Sequence, residues 1–234
     1  RPLLMARTPW CQVRRLLVAR LDNIGDVVMC GPALRALRAG LPAATITLWA
    51  SAGGAQAAAL LPEVDDVLAT KVVWQDLGQL PQDPARERAL VEQVAAGRYD
   101  GLIIFTSFLQ SPYPPAYVGY LAGIPLRAGQ SQEFGGGLLT DWVRPLPDAV
   151  HQVDRNLHLV EQLGFVPQGR DLHVRIAPAA RASVAAKLAQ AGLGPSDPFL
   201  LVHPGASCPS RTYPWVRFAQ AARRLRDETG LRVV

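Results

Sequence analysis

Short apolar runs alternate with helical patterns along most of this chain, and that alternation leaves few folds open. Residues 16–19, 45–49, 64–68, 101–105 and 199–202 read as strands. Leu16-Leu17-Val18-Ala19 and Phe199-Leu200-Leu201-Val202 are apolar throughout, as in strands buried on both faces. After the first of them, Val27, Cys30, Leu34, Leu37 and Leu41 recur at spacings of three and four. This predicts an amphipathic helix over residues 26–40, bent or restarted at Pro32. An Ala/Leu helix to residue 61 follows a Gly53-Gly54 loop, and further helices are predicted over 86–96 and 151–163. Strands joined through helices need crossover connections, so the expected class is α/β with a parallel sheet.

In such sheets ligands lie outside the carboxyl ends of the strands. Two loops take that position. Arg20-Leu21-Asp22-Asn23-Ile24-Gly25-Asp26 follows the first strand, and His203-Pro204-Gly205-Ala206-Ser207, with Arg211 beyond it, follows the strand at 199–202. One loop offers a carboxylate and the other a cation, as expected of two lobes that face each other across a substrate. Residues 1–170 make the expected first lobe, closed by the Pro167-Gln168-Gly169-Arg170 linker. Residues 171–234 begin a second lobe with a strand, an Ala-rich helix over 178–191, the strand at 199–202, a helix over 215–228 and a strand at 231–234. A unit of about this size is marginal alone, so a longer two-lobed protein is expected. The edge at 231–234 would be left open for another chain.

Composition narrows the function. A chain of 234 residues with 49% apolar and 18% charged residues suits a globular protein. A net charge of +5 suits an anionic substrate, but no Lys/Arg block supports nucleic-acid binding. Cys11, Cys30 and Cys208 lack metal-ligand spacing, which predicts a reduced, cytoplasmic chain without structural zinc. No apolar stretch reaches the ~18–20 residues that span a bilayer, leaving peripheral contact with the inner membrane surface open. Gly53-Gly54 is not a GxGxxG fingerprint, which weighs against a nicotinamide dehydrogenase. Residues 131–137 have no periodicity and read as a flexible loop, either active-site cover or a plain surface connection. Ligand choice is expected to lie in the loops at 131–139 and 111–120.

Four motifs in order resemble glycosyltransferase family 9, the heptosyltransferases. They are Arg20 to Val28 with Gly31-Pro32-Ala33-Leu34-Arg35-Ala36-Leu37, then Leu61-Pro62-Glu63-Val64-Asp65, then His203 to Ser207 with Arg211, then Tyr213-Pro214-Trp215 with Arg217-Phe218-Ala219. The resemblance implies a GT-B architecture, two Rossmann-like lobes with the acceptor on the first and a nucleotide sugar, such as ADP-heptose, on the second. It implies transfer to a lipopolysaccharide-core or other glycan acceptor, with inversion, no cofactor and no divalent metal. On this resemblance Asp26 takes the place of the catalytic base and Arg211 that of the basic residue near the donor phosphates. The family's Asp-x-Gly-x-x-His donor motif would lie beyond Val234.

The chemistry fits those roles. A carboxylate that takes the proton of an attacking hydroxyl contributes ~10²–10⁴ in rate, and preorganised donors at a departing diphosphate contribute ~3–4 kcal/mol each. Arg211 offers a forked cation, and the backbone N–H groups of Gly205, Ala206 and Ser207 add donors. Gly25, Arg20 and His203 complete the expected substrate contacts. Each has a plainer alternative: Asp26 as a helix N-cap, Arg20 as a solvated strand end, His203 as a loop hydrogen-bonder. The alternative to an enzyme is a non-catalytic α/β ligand-binding module or an inactive fragment of one.

Overall fold

The computed structural model describes residues 10–76, 78–206 and 211–234. The chain divides into two compact units, the first ending at Arg175 and the second spanning Ile176–Val234. In the first unit the order is β1 (Arg15–Arg20), α1 (Ile24–Val28), α2 (Gly31–Gly40), β2 (Thr45–Ala50), α3 (Ala52–Ala58) and β3 (Asp66–Ala69). There follow α4 (Pro84–Ala96), β4 (Gly101–Ile104), α5 (Tyr113–Leu121), β5 (Leu126–Gln130), β6 (Asp141–Val143) and α6 (Gln152–Gln162). The six strands form one sheet in the order β3-β2-β1-β4-β5-β6, parallel at every pairing. This is the doubly wound order, with its reversal between β1 and β4.

Alternation along β1 builds a core on each face. Leu16 and Val18 pack with Leu34 and Leu37 of α2 and with Leu157 and Val160 of α6. Leu17 and Ala19 pack on the other face with Leu90 and Val94 of α4 and with Ala116 and Val118 of α5. Successive side chains point to opposite faces, so a strand must be apolar throughout to serve both cores.

The predicted 26–40 helix is two helices. α1 starts at Ile24 with Asn23 as its N-cap, and α2 restarts at Gly31 with Pro32 in its first turn, where a missing N–H costs nothing. Asp26 is therefore not the cap. The Gly53-Gly54 pair is no loop but the first turn of α3, capped by Ser51 Oγ, which accepts from Gly54 N–H at 2.9 Å. Gly54 is required there, since a Cβ would stand 2.9 Å from Val27 Cγ2 and 3.1 Å from Asp22 O. Residues 113–120 of the expected 111–120 loop belong to α5 (Tyr113–Leu121), whose Pro114 and Pro115 fall in its first turn.

The loop after β5 is tied down more than its sequence suggests. Arg127 Nε donates to Leu138 O at 2.7 Å and Nη2 to Gly137 O at 3.2 Å, while the Tyr113 hydroxyl donates to Glu133 O. No strand begins at residue 171. Instead Arg35 Nη2 donates to Asp171 O, and Arg175 N–H to Leu60 O at 2.7 Å, strapping this segment to the first unit.

The Leu61 to Asp65 motif is a clamp. Asp65 Oδ2 accepts from Ile46 N–H at 2.8 Å and from Arg38 Nη2 at 2.6 Å, and Arg38 also donates to Ala44 O and Glu63 O. Burial pushes the Asp65 carboxyl up, but these bonds outweigh it and hold it below the ordinary aspartate value. A depressed carboxylate stabilises the fold above its unfolded value of ~3.9 and loses that contribution as pH falls through the folded value. Asp65→Asn is expected to cost about 1 kcal/mol at pH 7, a partly exposed ion pair being worth little. Urea titrations of both proteins should converge as pH falls through the lowered folded value of the carboxyl; a gap that persists with the carboxyl protonated refutes the assignment.

The second unit contains α7 (Pro178–Gln190), β7 (Phe199–Leu200), α8 (Trp215–Thr229) and β8 (Arg232–Val233). β7 and β8 pair in parallel, extended by Val202 N–H to Val234 O and Val234 N–H to Leu200 O, both at 2.9 Å. The strand at 231–234 is thus paired along one edge. Gly230, at φ +72°, ends α8 in the left-handed conformation that suits glycine.

Candidate active site

The reversal of strand order leaves a crevice at the carboxyl ends of β1 and β4, and the loops leaving these two strands meet there. Arg20, the last residue of β1, shares the parity of Leu16 and Val18, and its side chain is wholly buried. Its Nη2 donates to Ser107 Oγ at 2.7 Å and to Asp26 Oδ1 at 3.2 Å. Its Nε stands 2.9 Å from Asp22 Oδ2, an ion-pair contact without hydrogen-bond alignment. Ser107 Oγ, having accepted from Arg20, donates to Asp22 Oδ2 at 3.4 Å, and Gln110 Nε2 donates to Asp22 Oδ1. Gln110 Oε1 in turn accepts from Ser107 N–H at 2.8 Å. Arg20 is therefore buried beside two carboxylates and is not a solvated strand end.

Asp26 is the third residue of α1. Its Oδ2 accepts from Asn23 N–H at 3.3 Å, and its side chain is 24% exposed, against 8% for Asp22. Ionised carboxylates are favoured in the first helical turn. Gly25 precedes it on the surface, and a Cβ there would meet nothing within 4 Å.

Beneath Asp26 lies Cys30, whose thiol contacts Asp26 O at 3.4 Å. Burial pushes this thiol up to about 12; Arg20 opposes the rise, and Asp22 and Asp26 add to it. Asn156 of α6, also buried, donates to Met29 O at 3.0 Å and so pins the α1–α2 break. A thiol held neutral and buried is unreactive. Alkylation at pH 8, followed by peptide mass spectrometry, should modify exposed Cys11 and spare Cys30 until the protein unfolds; rapid labelling of native Cys30 would contradict its burial.

Two polar clefts flank the crevice. One, of about 530 Å³, opens at the ends of β1, β2 and β3 between Asp22, Asn23, Ser51, Thr70 and Lys71. The other, of about 330 Å³, opens at the ends of β4 and β5 between Ser107, Gln110, Gln130, Ser131 and Glu133. Among the described residues there is no group of three His, Cys, Asp or Glu placed to hold a metal ion.

The remaining expected site residues belong to the second unit. His203, Gly205 and Ala206 follow β7 and are exposed, as is Arg211 before α8. Ser207 lies outside the described residues. Asp22, Ser107 and Gln110 were not singled out from sequence. Asp22 lies within the Arg20 to Asp26 motif, and the others carry one usable signal, their place just after an apolar strand.

A doubly wound parallel sheet with an ionised cluster at its switch point defines a class, the α/β proteins that bind ligands across that crevice. The description of glycosyltransferase family 9 (heptosyltransferase) matches residues 87–234, more than half of the chain. The chain belongs to that family. It is 29% identical over 227 residues to lipopolysaccharide heptosyltransferase 2 of Escherichia coli (strain K12), covering 94% of this chain and 62% of that protein. A glycosyltransferase family 9 structure from Veillonella parvula superimposes with TM-score 0.71 at 22% identity, over 94% of this chain and 61% of the other. E. coli ADP-heptose lps heptosyltransferase II does so with TM-score 0.64 at 24% identity, over 94% and 63%. The fold is of the GT-B type, and the six-stranded sheet is a Rossmann-like lobe of it. The chain spans about three fifths of the length of these relatives. Among the described residues no helix is long and apolar enough to cross a membrane.

Proposed function

We propose that this chain is part of an inverting, metal-independent glycosyltransferase that moves a heptose or similar sugar from a nucleotide-sugar donor to a lipopolysaccharide-core or related glycan acceptor. The observation that carries the proposal is Asp26, a partly exposed carboxylate held by Arg20 in a cluster whose other members, Asp22 and Ser107, each line a cleft at the carboxyl edge of the sheet. The E. coli relatives, named for heptosyl transfer and ADP-heptose, support the choice of sugar and nucleotide.

In this mechanism an acceptor hydroxyl attacks the anomeric carbon from the face opposite the nucleotide. The new C–O bond forms as the bond to the diphosphate oxygen breaks, inverting that centre, and the hydroxyl proton passes to Asp26. Arg211, with the backbone N–H groups of Gly205 and Ala206, offers the positive charge that a departing diphosphate needs. Asp22 and Asp26 are bridged by the Arg20 guanidinium.

The test is turnover of ADP-heptose by the full-length protein with a lipopolysaccharide-core acceptor, reading the product's anomeric configuration by NMR. Inverted product, formed equally well in excess EDTA, is the expected result. Retained configuration overturns the mechanism, and activity lost in EDTA and restored by Mg²⁺ overturns metal independence.

A further inference from the structure

The Arg20 cluster holds one carboxylate more than a general base needs, and the surplus one is the better held. Asp22 is the more buried, stands 2.9 Å from Arg20 Nε, and receives both Gln110 Nε2 and Ser107 Oγ. Asp26 has only Arg20 Nη2, at 3.2 Å, which is shared with Ser107, together with the long bond from Asn23 N–H. The two carboxylates thus divide one guanidinium unequally. A buried Arg facing the base alone would favour its charged form and weaken it as a proton acceptor. A second carboxylate on the same guanidinium cancels that field.

The geometry points to Asp22 as a positioning residue that neutralises Arg20, is held by Ser107 and Gln110 of the loop after β4, and so preserves the proton affinity of Asp26. This rests on the reading of Asp26 as the base. Among the described residues, Arg20 is the charged group that contacts Asp26. α3 carries no titratable residue, and Cys30 stays neutral. In α6, which reaches the α1–α2 break through Asn156, Arg155 pairs with Asp148, Asp154 pairs with Arg170, and His151 accepts from Val153 N–H.

The experiment follows the side-chain carboxyl ¹³C titration of Asp26 in the 234-residue chain, assigned by its disappearance in Asp26→Asn. In Asp22→Asn the Asp26 midpoint is expected to fall by about one pH unit, because Arg20 then faces Asp26 alone. In the double variant Arg20→Gln/Asp22→Asn, which removes both charges, it should return to the wild-type position. An unmoved midpoint in Asp22→Asn overturns the proposal, and so does a double variant displaced by a unit or more. If Asp22→Asn does not fold, the double variant decides alone. In the full-length enzyme Asp22→Asn should lower kcat roughly 3- to 10-fold, leave the acceptor KM unchanged and move the acid limb of the kcat profile to lower pH. A raised KM with an unmoved limb would instead make Asp22 a substrate contact and overturn the proposal. Should Asp26→Asn keep wild-type turnover, the base reading fails while the titration result still stands, so the two failures are distinguishable.

Discussion

Asp26→Asn in the full-length protein is expected to lower kcat by ~10²–10⁴ with the fold intact. Asn keeps the shape of the side chain and an oxygen that can accept from Asn23 N–H, now 3.3 Å from Asp26 Oδ2. Asp22 remains to pair Arg20, so no buried charge is stranded. The stability loss should stay within about 1.5–3 kcal/mol, the range for one hydrogen bond to a charged group. What Asn cannot do is take a proton from an attacking hydroxyl. Steady-state kinetics beside thermal unfolding separate the effects, and near-normal turnover in a folded variant would remove Asp26 from the mechanism.

Arg20→Met should do the reverse, striking stability first. Its side chain is fully buried, and Asp22, 8% exposed, would be left as an uncompensated carboxylate. Breaking a buried pair from one side costs about 3–5 kcal/mol. At roughly 2–4 °C per kcal/mol for a domain of this size, the first unit should melt about 6–20 °C lower. If Arg20 were instead an exposed contact to an acceptor phosphate, the same change would raise KM and leave the melting temperature alone. Circular dichroism melts of wild type and variant decide between the two.

Elements that bury apolar residues by parity or by helical spacing were legible without coordinates. β1, β2, β4, α4 and α6 lie within a few residues of where their patterns place them. β5 was not, because Leu126-Arg127-Ala128-Gly129-Gln130 has no β-branched residue; it is a strand because β4 offers it a ladder, and Arg127 is buried because loop carbonyls receive it. α5 was hidden by Pro114 and Pro115, which disrupt a helix only beyond its first turn.

The site divides the same way. The local sequence from Arg20 to Asp26, following an apolar strand, was enough to put a carboxylate at the carboxyl edge of a parallel sheet, since that depends on residues a few positions apart. The pairing of Arg20 with Asp22 and Asp26, and the support from Ser107 and Gln110, depended on the order of strands. Ser107 and Gln110 lie 85 and 88 residues from Asp22 and reach it only because β4 pairs with β1. Hydrophobic periodicity specifies which residues turn inward. Which buried charge meets which partner is an electrostatic question, answered only once strand pairing has brought distant loops within a few ångströms.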